Sequence, residues 1–338
     1  MTMTPQQALS RIAELLMRDG APVYRSRAFH SAAKAIEHMP EDELRRLADA
    51  GRLRDIPGVG EKTAAVITEA LAGGTPKYLE DLLQHATSPE TEAGRQLRAA
   101  LRGDLHMHSN WSDGGDDIIE MARKARELGH DYVALTDHSP RLKIANGLSP
   151  ERLREQLDIV ADVNRELAPF RMLTGIEVDI LEDGALDQED ELLDRVDVVV
   201  ASVHSKLRMN ARDMTARMVA AMENPRSDIL GHCTGRMVMG RGRPPSEFDA
   251  DAVFGMCARY DKAVEINCRP ERLDPPRELL RKVVDMGIKV AISTDAHATE
   301  QLEWQGYGTS RAAECGVQTD GIVNAWSADD LLAWTASH

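Results

Sequence analysis

From Asp104 onward, short apolar runs alternate with amphipathic segments, and this alternation limits the available folds more than any other feature of the 338-residue chain. The runs are DLHMHS, DYVALTDH, FRMLTGIEVDI, DVVVASVHS, DILGHC, AVEINC and KVAISTDAH. Between them, segments such as IIEMARKARELG, SPERLREQLDIVADVNREL, ARDMTARMVAAME and PRELLRKVVDMG carry apolar residues every three or four positions, the pattern of helices with one buried face. Seven strand candidates separated by helix candidates predict an α/β architecture in which parallel strands, joined by crossover helices, close into a barrel. Every run carries His, Asp or Asn as its last or next-to-last residue. Because the C-terminal ends of parallel barrel strands converge on one mouth, these residues are expected to share a site.

Eight residues of these runs and one from a loop form a candidate constellation: His106, His108, His138, His204, His232 and His297, with Asp113, Glu177 and Asp295. Alternate residues of a strand face the same way, so His106 with His108, and Asp295 with His297, each deliver two donors to one place. Asp113 joins from the loop WSDGG. Nine donors suffice for three cations when a carboxylate bridges, and mixed imidazole and carboxylate donors suit zinc, manganese or iron better than magnesium or calcium. A lone histidine at a strand end is usually a hydrogen-bonded structural residue. Six of them with three carboxylates would instead suffer desolvation and repulsion that bound cations relieve.

Residues 1–85 read differently. ALSRIAELLM, AFHSAAKAIEHM, ELRRLADAG and KTAAVITEAL are all helical in period, predicting a small all-α domain before a linker over 86–103 and a barrel over 104–338. Pro57, Gly58, Val59 and Gly60 make a tight turn, after which the next helix presents free backbone N–H groups, an anion site to which Lys62 adds charge. The net charge of −15 argues against a non-specific nucleic-acid coat, but residues 1–100 carry 13 basic against 14 acidic residues, so the excess acid lies in the barrel. Modest, salt-sensitive nucleic-acid binding by the helical part is therefore compatible with the charge. Four cysteines without paired spacing, no secretory leader and no membrane-length apolar stretch predict reduced thiols and a cytoplasmic location.

The series DLHMHS, SDG, TDH, GIEVDI, SVHSK, GHCTGR, EIN and STDAH resembles the polymerase and histidinol phosphatase (PHP) family over residues 104–338. The resemblance implies a distorted seven-stranded β/α, TIM-like barrel with three divalent ions. It places one ion on His106, His108, Glu177 and Asp295, a second on the bridging Glu177 with His204 and His232, and a third on Asp113, His138 and His297. Certain relatives have histidine where this chain has Asp113. The chemistry implied is phosphoester hydrolysis by metal-bound hydroxide, with Lys206, Arg236, Arg241 and Arg269 as phosphate contacts beyond the strand ends. Residues 5–83 with their GVG turn resemble the helix-hairpin-helix N-terminal domain of bacterial X-family DNA polymerases, implying contact with DNA phosphates through Gly58, Val59, Gly60 and Lys62. About 20 residues between the two parts cannot contain polymerase fingers and palm, and Val66 stands at the position of that family's lyase lysine.

Among the remaining polar residues, His30, His38 and His85 fall on helix candidates away from the constellation, and His130 falls at the opposite barrel end. Cys233 and Cys268 are expected to be buried thiols, Asp137 to orient His138 or a facing ligand, and Asn267 to contact either a ligand or substrate. The expected function is hydrolysis of phosphate esters at DNA ends, as a 3′-phosphatase, 3′-phosphodiesterase or 3′–5′ exonuclease, in DNA repair. The alternatives are a small-molecule phosphatase, such as one for histidinol phosphate, and a DNA-binding accessory protein with structural metals.

Overall fold

The computed structural model describes residues 3–18, 21, 23–85, 90–238 and 242–338. The chain divides at Ser88/Pro89 into two compact units.

The first unit contains α1 (Pro5–Arg18), α2 (Val23–Ile36), α3 (Glu41–Asp49), α4 (Glu61–Leu71) and α5 (Lys77–His85). Their apolar faces meet in one core that includes Leu9, Ile12, Leu15, Phe29, Ile67 and Leu79, as the helical spacing requires. The loop before α4 turns on Gly58, whose φ of +90° glycine adopts at little steric cost and a residue with a side chain does not. Gly60 precedes the helix, its N–H donating to Thr63 Oγ1 at 2.8 Å.

The second unit opens with α6 (Glu92–Ala100), capped by the Thr91 side chain. This corrects the expected linker over 86–103: residues 92–100 are a helix packed on the barrel, with Gly94 set against Ser310, while 86–89 lie outside the described residues. TEAGRQLRAA has a capping threonine and an apolar side that mark a helix, a signal masked by the Ser/Thr/Pro/Glu-rich stretch in front of it.

Seven parallel strands follow in sequential order: β1 (Gly103–Met107), β2 (Tyr132–Leu135), β3 (Arg171–Asp179), β4 (Val198–Ser202), β5 (Ile229–Leu230), β6 (Ala263–Asn267) and β7 (Val290–Ser293). The helices between and after them are α7 (Ile118–Glu127), α8 (Pro150–Leu167), α9 (Asp190–Leu193), α10 (Ala211–Glu223), α11 (Ala250–Arg259), α12 (Arg277–Asp285), α13 (Gln305–Glu314) and α14 (Ala328–Thr335). All seven expected strands are present, and a bridge between Met107 and Ala296 brings β1 beside the chain leaving β7, so the barrel is nearly closed. Buried Asp104 reinforces this seam by accepting from Thr294 Oγ1 at 2.6 Å.

Leu105, Ala134, Leu173, Val200 and Ala291 form one cluster with Trp334 of α14. Met107 instead packs with Val133, Leu135 and residues of α7 and α8. Strict alternation would put Leu105 and Met107 together; the register of β1 against β2 shifts between Asp104 and Met107 and separates them.

Candidate metal centre

The nine residues arrive from different elements at the C-terminal side of the sheet. His106 lies in β1 and His108 just beyond it, Glu177 in β3, and His138, His204 and His232 in the segments leaving β2, β4 and β5, with Asp295 and His297 in the segment leaving β7. Asp113 is carried by the turn after β1. Gly114 N–H donates to Ser109 O at 2.9 Å, and a Cβ on Gly114 would sit 2.6 Å from Ser109 carbon, so this turn closes only on glycine. Asp295 adopts a left-handed backbone with φ 53°, a conformation that costs a non-glycine residue about 1–3 kcal/mol and persists where surroundings enforce it.

Their donor atoms fall into three neighbouring groups. Asp295 Oδ1 is 3.4 Å from His108 Nε2 and 3.9 Å from His106 Nε2, and Glu177 Oε2 is 3.5 and 3.3 Å from the same two atoms. Glu177 Oε1 faces His204 Nε2 at 3.2 Å and His232 Nε2 at 2.9 Å. Asp113 Oδ1 faces His138 Nε2 at 3.4 Å and His297 Nε2 at 3.3 Å. The structure thus brings together all nine residues, with Glu177 between two groups. His108 also lies within reach of the Asp113 group, and His138 reaches Glu177 Oε2 through Nδ1 at 2.9 Å.

Buried atoms here lack partners. His106 Nε2, both ring nitrogens of His108 and of His204, His138 Nδ1 and Glu177 Oε2 make no hydrogen bond. Leaving so many polar atoms dry would be costly, and the donor set of imidazole and carboxylate fits divalent transition-metal ions. These buried clusters are suited to a multi-metal site.

The charges are strongly coupled. Burial opposes protonation of His106, yet Glu265, Glu177 and Asp295 hold its pKa well above the ordinary value. Burial together with neighbouring His297 and His138 drives His108 well below it. Against the same burial, Glu177 and Asp179 push His204 up to about 9. Burial disfavours the Asp295 carboxylate, but Arg269, His106, His108 and Arg272 keep it well below the usual range.

The expected phosphate contacts separate. Arg269 Nη1 lies 3.6 Å from Asp295 Oδ1 and 3.1 Å from His297 Nδ1, at the edge of the clusters. Lys206 is exposed, two residues beyond His204. Arg236 is turned away: its guanidinium donates to the carbonyls of Arg272, at 3.1 Å, and Leu273, holding that loop. Arg241 lies outside the described residues. In the helical unit Val59 is buried, Lys62 is exposed on the first turn of α4, and Val66 belongs to the core.

Asp137 reaches a facing ligand only through its main chain, its carbonyl accepting from Glu177 N–H at 3.1 Å, and not through the side chain as expected. Its carboxylate accepts from Ser109 N, Ser109 Oγ, Ser112 Oγ and Gln156 Nε2, at 2.5–2.8 Å, and fixes the loop that carries Asp113. Asn267 contacts a constellation residue, donating to Asp295 Oδ2 at 3.0 Å. Cys233 and Cys268 are buried free thiols, whose pKa values burial raises well above the ordinary one. His130 is buried before β2, where burial and Arg98 push its pKa down to about 3.

Four polar residues with a part in the site were missed by sequence reasoning. Glu265 accepts from His106, Asp179 accepts from His204 N–H at 3.1 Å, Arg217 donates to Ser205 O at 2.9 Å, and Arg272 Nε lies 3.3 Å from Asp295 Oδ2. The one available signal was the acidic residue inside AVEIN and GIEVD, where a strand interior is otherwise apolar.

Comparison with known proteins agrees with this geometry. Residues 104–269 match the PHP domain, and residues 4–76 match a helix-hairpin-helix domain. The chain is a PHP-domain protein. It is 41% identical over 234 residues to a Bacillus subtilis protein named DNA polymerase/3′–5′ exonuclease PolX, covering 69% of this chain but 41% of that one. This PHP protein has no polymerase part between its two units. It is 29% identical over 236 residues to a probable phosphatase of Thermoanaerobacter pseudethanolicus, covering 65% of this chain and 89% of the relative. A Lactococcus lactis histidinol phosphate phosphatase superposes with a TM-score of 0.48 at 17% identity, covering 64% of this chain and 94% of that one. The family to which the barrel belongs is one of phosphoester hydrolases. Among the described residues, no helix is long and apolar enough to cross a membrane.

Proposed function

We propose that this protein hydrolyses phosphate esters at DNA 3′ ends, as a 3′-phosphatase, 3′-phosphodiesterase or 3′–5′ exonuclease in DNA repair. One observation carries the reading: a three-group imidazole and carboxylate centre occurs in one chain with a helix-hairpin-helix unit. The kinship with a protein named as a 3′–5′ exonuclease supports it.

Three divalent ions, zinc, manganese or iron(II), would be held as the resemblance implies, by His106, His108, Glu177 and Asp295; by Glu177, His204 and His232; and by Asp113, His138 and His297. Bound ions supply Lewis acidity and lower the pKa of water from 15.7 to about 7. Arg269 and Lys206 bind the substrate phosphate, while Asp295 and His297 keep the Arg269 guanidinium at the edge of the clusters. In the helical unit, Gly58 and Gly60 let a DNA phosphate approach the start of α4, with Lys62 adding charge. Cytoplasmic action accords with four free cysteines.

The test is an assay of zinc-, manganese- and iron(II)-loaded protein on 3′-phosphorylated and 3′-hydroxyl oligonucleotides beside histidinol phosphate. Cleavage of the oligonucleotides, abolished by chelation and in Asp295→Ala, is expected. A small-molecule phosphatase is the second reading, favoured by the probable phosphatase that the barrel covers almost entirely; turnover of histidinol phosphate with intact oligonucleotides would establish it instead.

A further inference from the structure

Glu265 stands in the middle of β6, fully buried, in a strand whose other residues are Ala263, Val264, Ile266 and Asn267. A carboxylate so placed must be compensated, and three groups compensate it. Its Oε1 lies 2.6 Å from His106 Nδ1; its Oε2 accepts from the backbone N–H of His232 at 2.6 Å and from Asn267 Nδ2 at 3.2 Å. Asn267 Nδ2 also donates to Asp295 Oδ2 at 3.0 Å. Both carboxylate oxygens are therefore engaged away from the donor groups, and Glu265 belongs to none of them.

We infer that Glu265 is a positioning residue that couples two metal-binding groups, fixing His106 through its ring, His232 through its main chain and Asp295 through Asn267. The inference rests on the metal reading above. An imidazole that donates Nδ1–H to a carboxylate directs its Nε2 lone pair elsewhere, and His106 Nε2 is the atom facing Glu177 and Asp295. A glutamine here has one accepting oxygen. If that oxygen kept the His232 N–H, the amide NH₂ would face His106 Nδ1 and force the ring proton onto Nε2, removing the donor that the first group needs.

The experiment measures zinc stoichiometry and affinity of the full chain by metal analysis and competition with a chelator, for wild type and Glu265→Gln. Wild type is expected to hold zinc at all three groups. Glu265→Gln is expected to weaken zinc binding about 10- to 100-fold at the groups containing His106 and His232, and to leave the Asp113, His138 and His297 group unchanged. Wild-type affinity in a folded Glu265→Gln overturns the inference alone; a wild type that binds no zinc overturns the metal reading with it. Should Glu265→Gln fail to fold, nitrogen-15 NMR of zinc-loaded wild type decides. A His106 ring with its proton on Nδ1 and zinc on Nε2 supports the assignment, and zinc on Nδ1 refutes it.

Discussion

The helical unit buries side chains that need no ligand, whereas the barrel mouth buries side chains whose polar atoms have too few partners. Leu9, Ile12, Leu15, Ile67 and Leu79 are sealed in an apolar core, where burial itself stabilises, at about 25 cal/mol per Å². His106, His108 and Glu177 are equally buried, yet ring nitrogens and a carboxylate oxygen among them make no hydrogen bond. The first arrangement is complete as it stands, and the second is completed by what binds. The difference teaches where this protein is stabilised by its own contacts and where it depends on a ligand.

The largest break in that comparison is expected at Asp295. Asp295→Ala removes the carboxylate that faces His106 and His108, and steady-state assays should find hydrolysis reduced by at least about a hundred-fold, given that even groups supporting a ligand are worth 10- to 100-fold in metal affinity or activity. DNA binding by the helical unit should persist, as read by fluorescence anisotropy.

Metal removal ranks next. Ions at about a thousand times their dissociation constant contribute about 4 kcal/mol to folding, so chelation should lower the melting temperature of the barrel by roughly 10 °C. Differential scanning calorimetry should show the transition of the helical unit unmoved. A core change does the reverse: Ile67→Ala, at a fully buried position, should destabilise the helical unit by about 2–5 kcal/mol and leave zinc stoichiometry intact.

The pH dependence of metal uptake sharpens the contrast. In the metal-free barrel, burial opposes but Glu177 and Asp179 raise the pKa of His204 to about 9. A group whose folded pKa is raised stabilises fully below its unfolded value, about 6.5, and that contribution is lost as pH rises through about 9. A cation must displace the same proton, so zinc affinity should increase with pH, about tenfold per unit per proton displaced, and level off above about 9. Proton release on zinc addition, measured with a pH indicator dye, checks this. The smallest effect belongs to Lys62→Ala, which should weaken DNA binding a few-fold and lower its salt dependence by about one counterion.

Much of the fold and of the candidate site was legible locally. Each strand candidate was a run of six to eleven residues with a polar residue at or next to its end, and parallel topology alone sends such ends to one mouth. What escaped was of two kinds. The helix over 92–100 was hidden by the connecting segment before it. Motif position points Arg236 at a substrate phosphate and the Asp137 carboxylate at His138 or a facing ligand, but a charged residue beside a motif gives no indication of which way its side chain turns. Arg236 instead meets the carbonyls of Arg272 and Leu273, and Asp137 meets the loop over 109–112.

The sequence by itself determined the number and order of the strands, the all-helical character of the N-terminal unit and the nine residues gathered at the barrel mouth, since periodicity and motif spacing are properties of short stretches of chain. Only the tertiary structure decided which donors share a group, that Glu177 stands between two of them, and that Glu265 holds His106 across 159 positions of sequence. Those pairings arise when the barrel curls until β1 meets the chain leaving β7, and distances across a closed sheet are written in no local pattern.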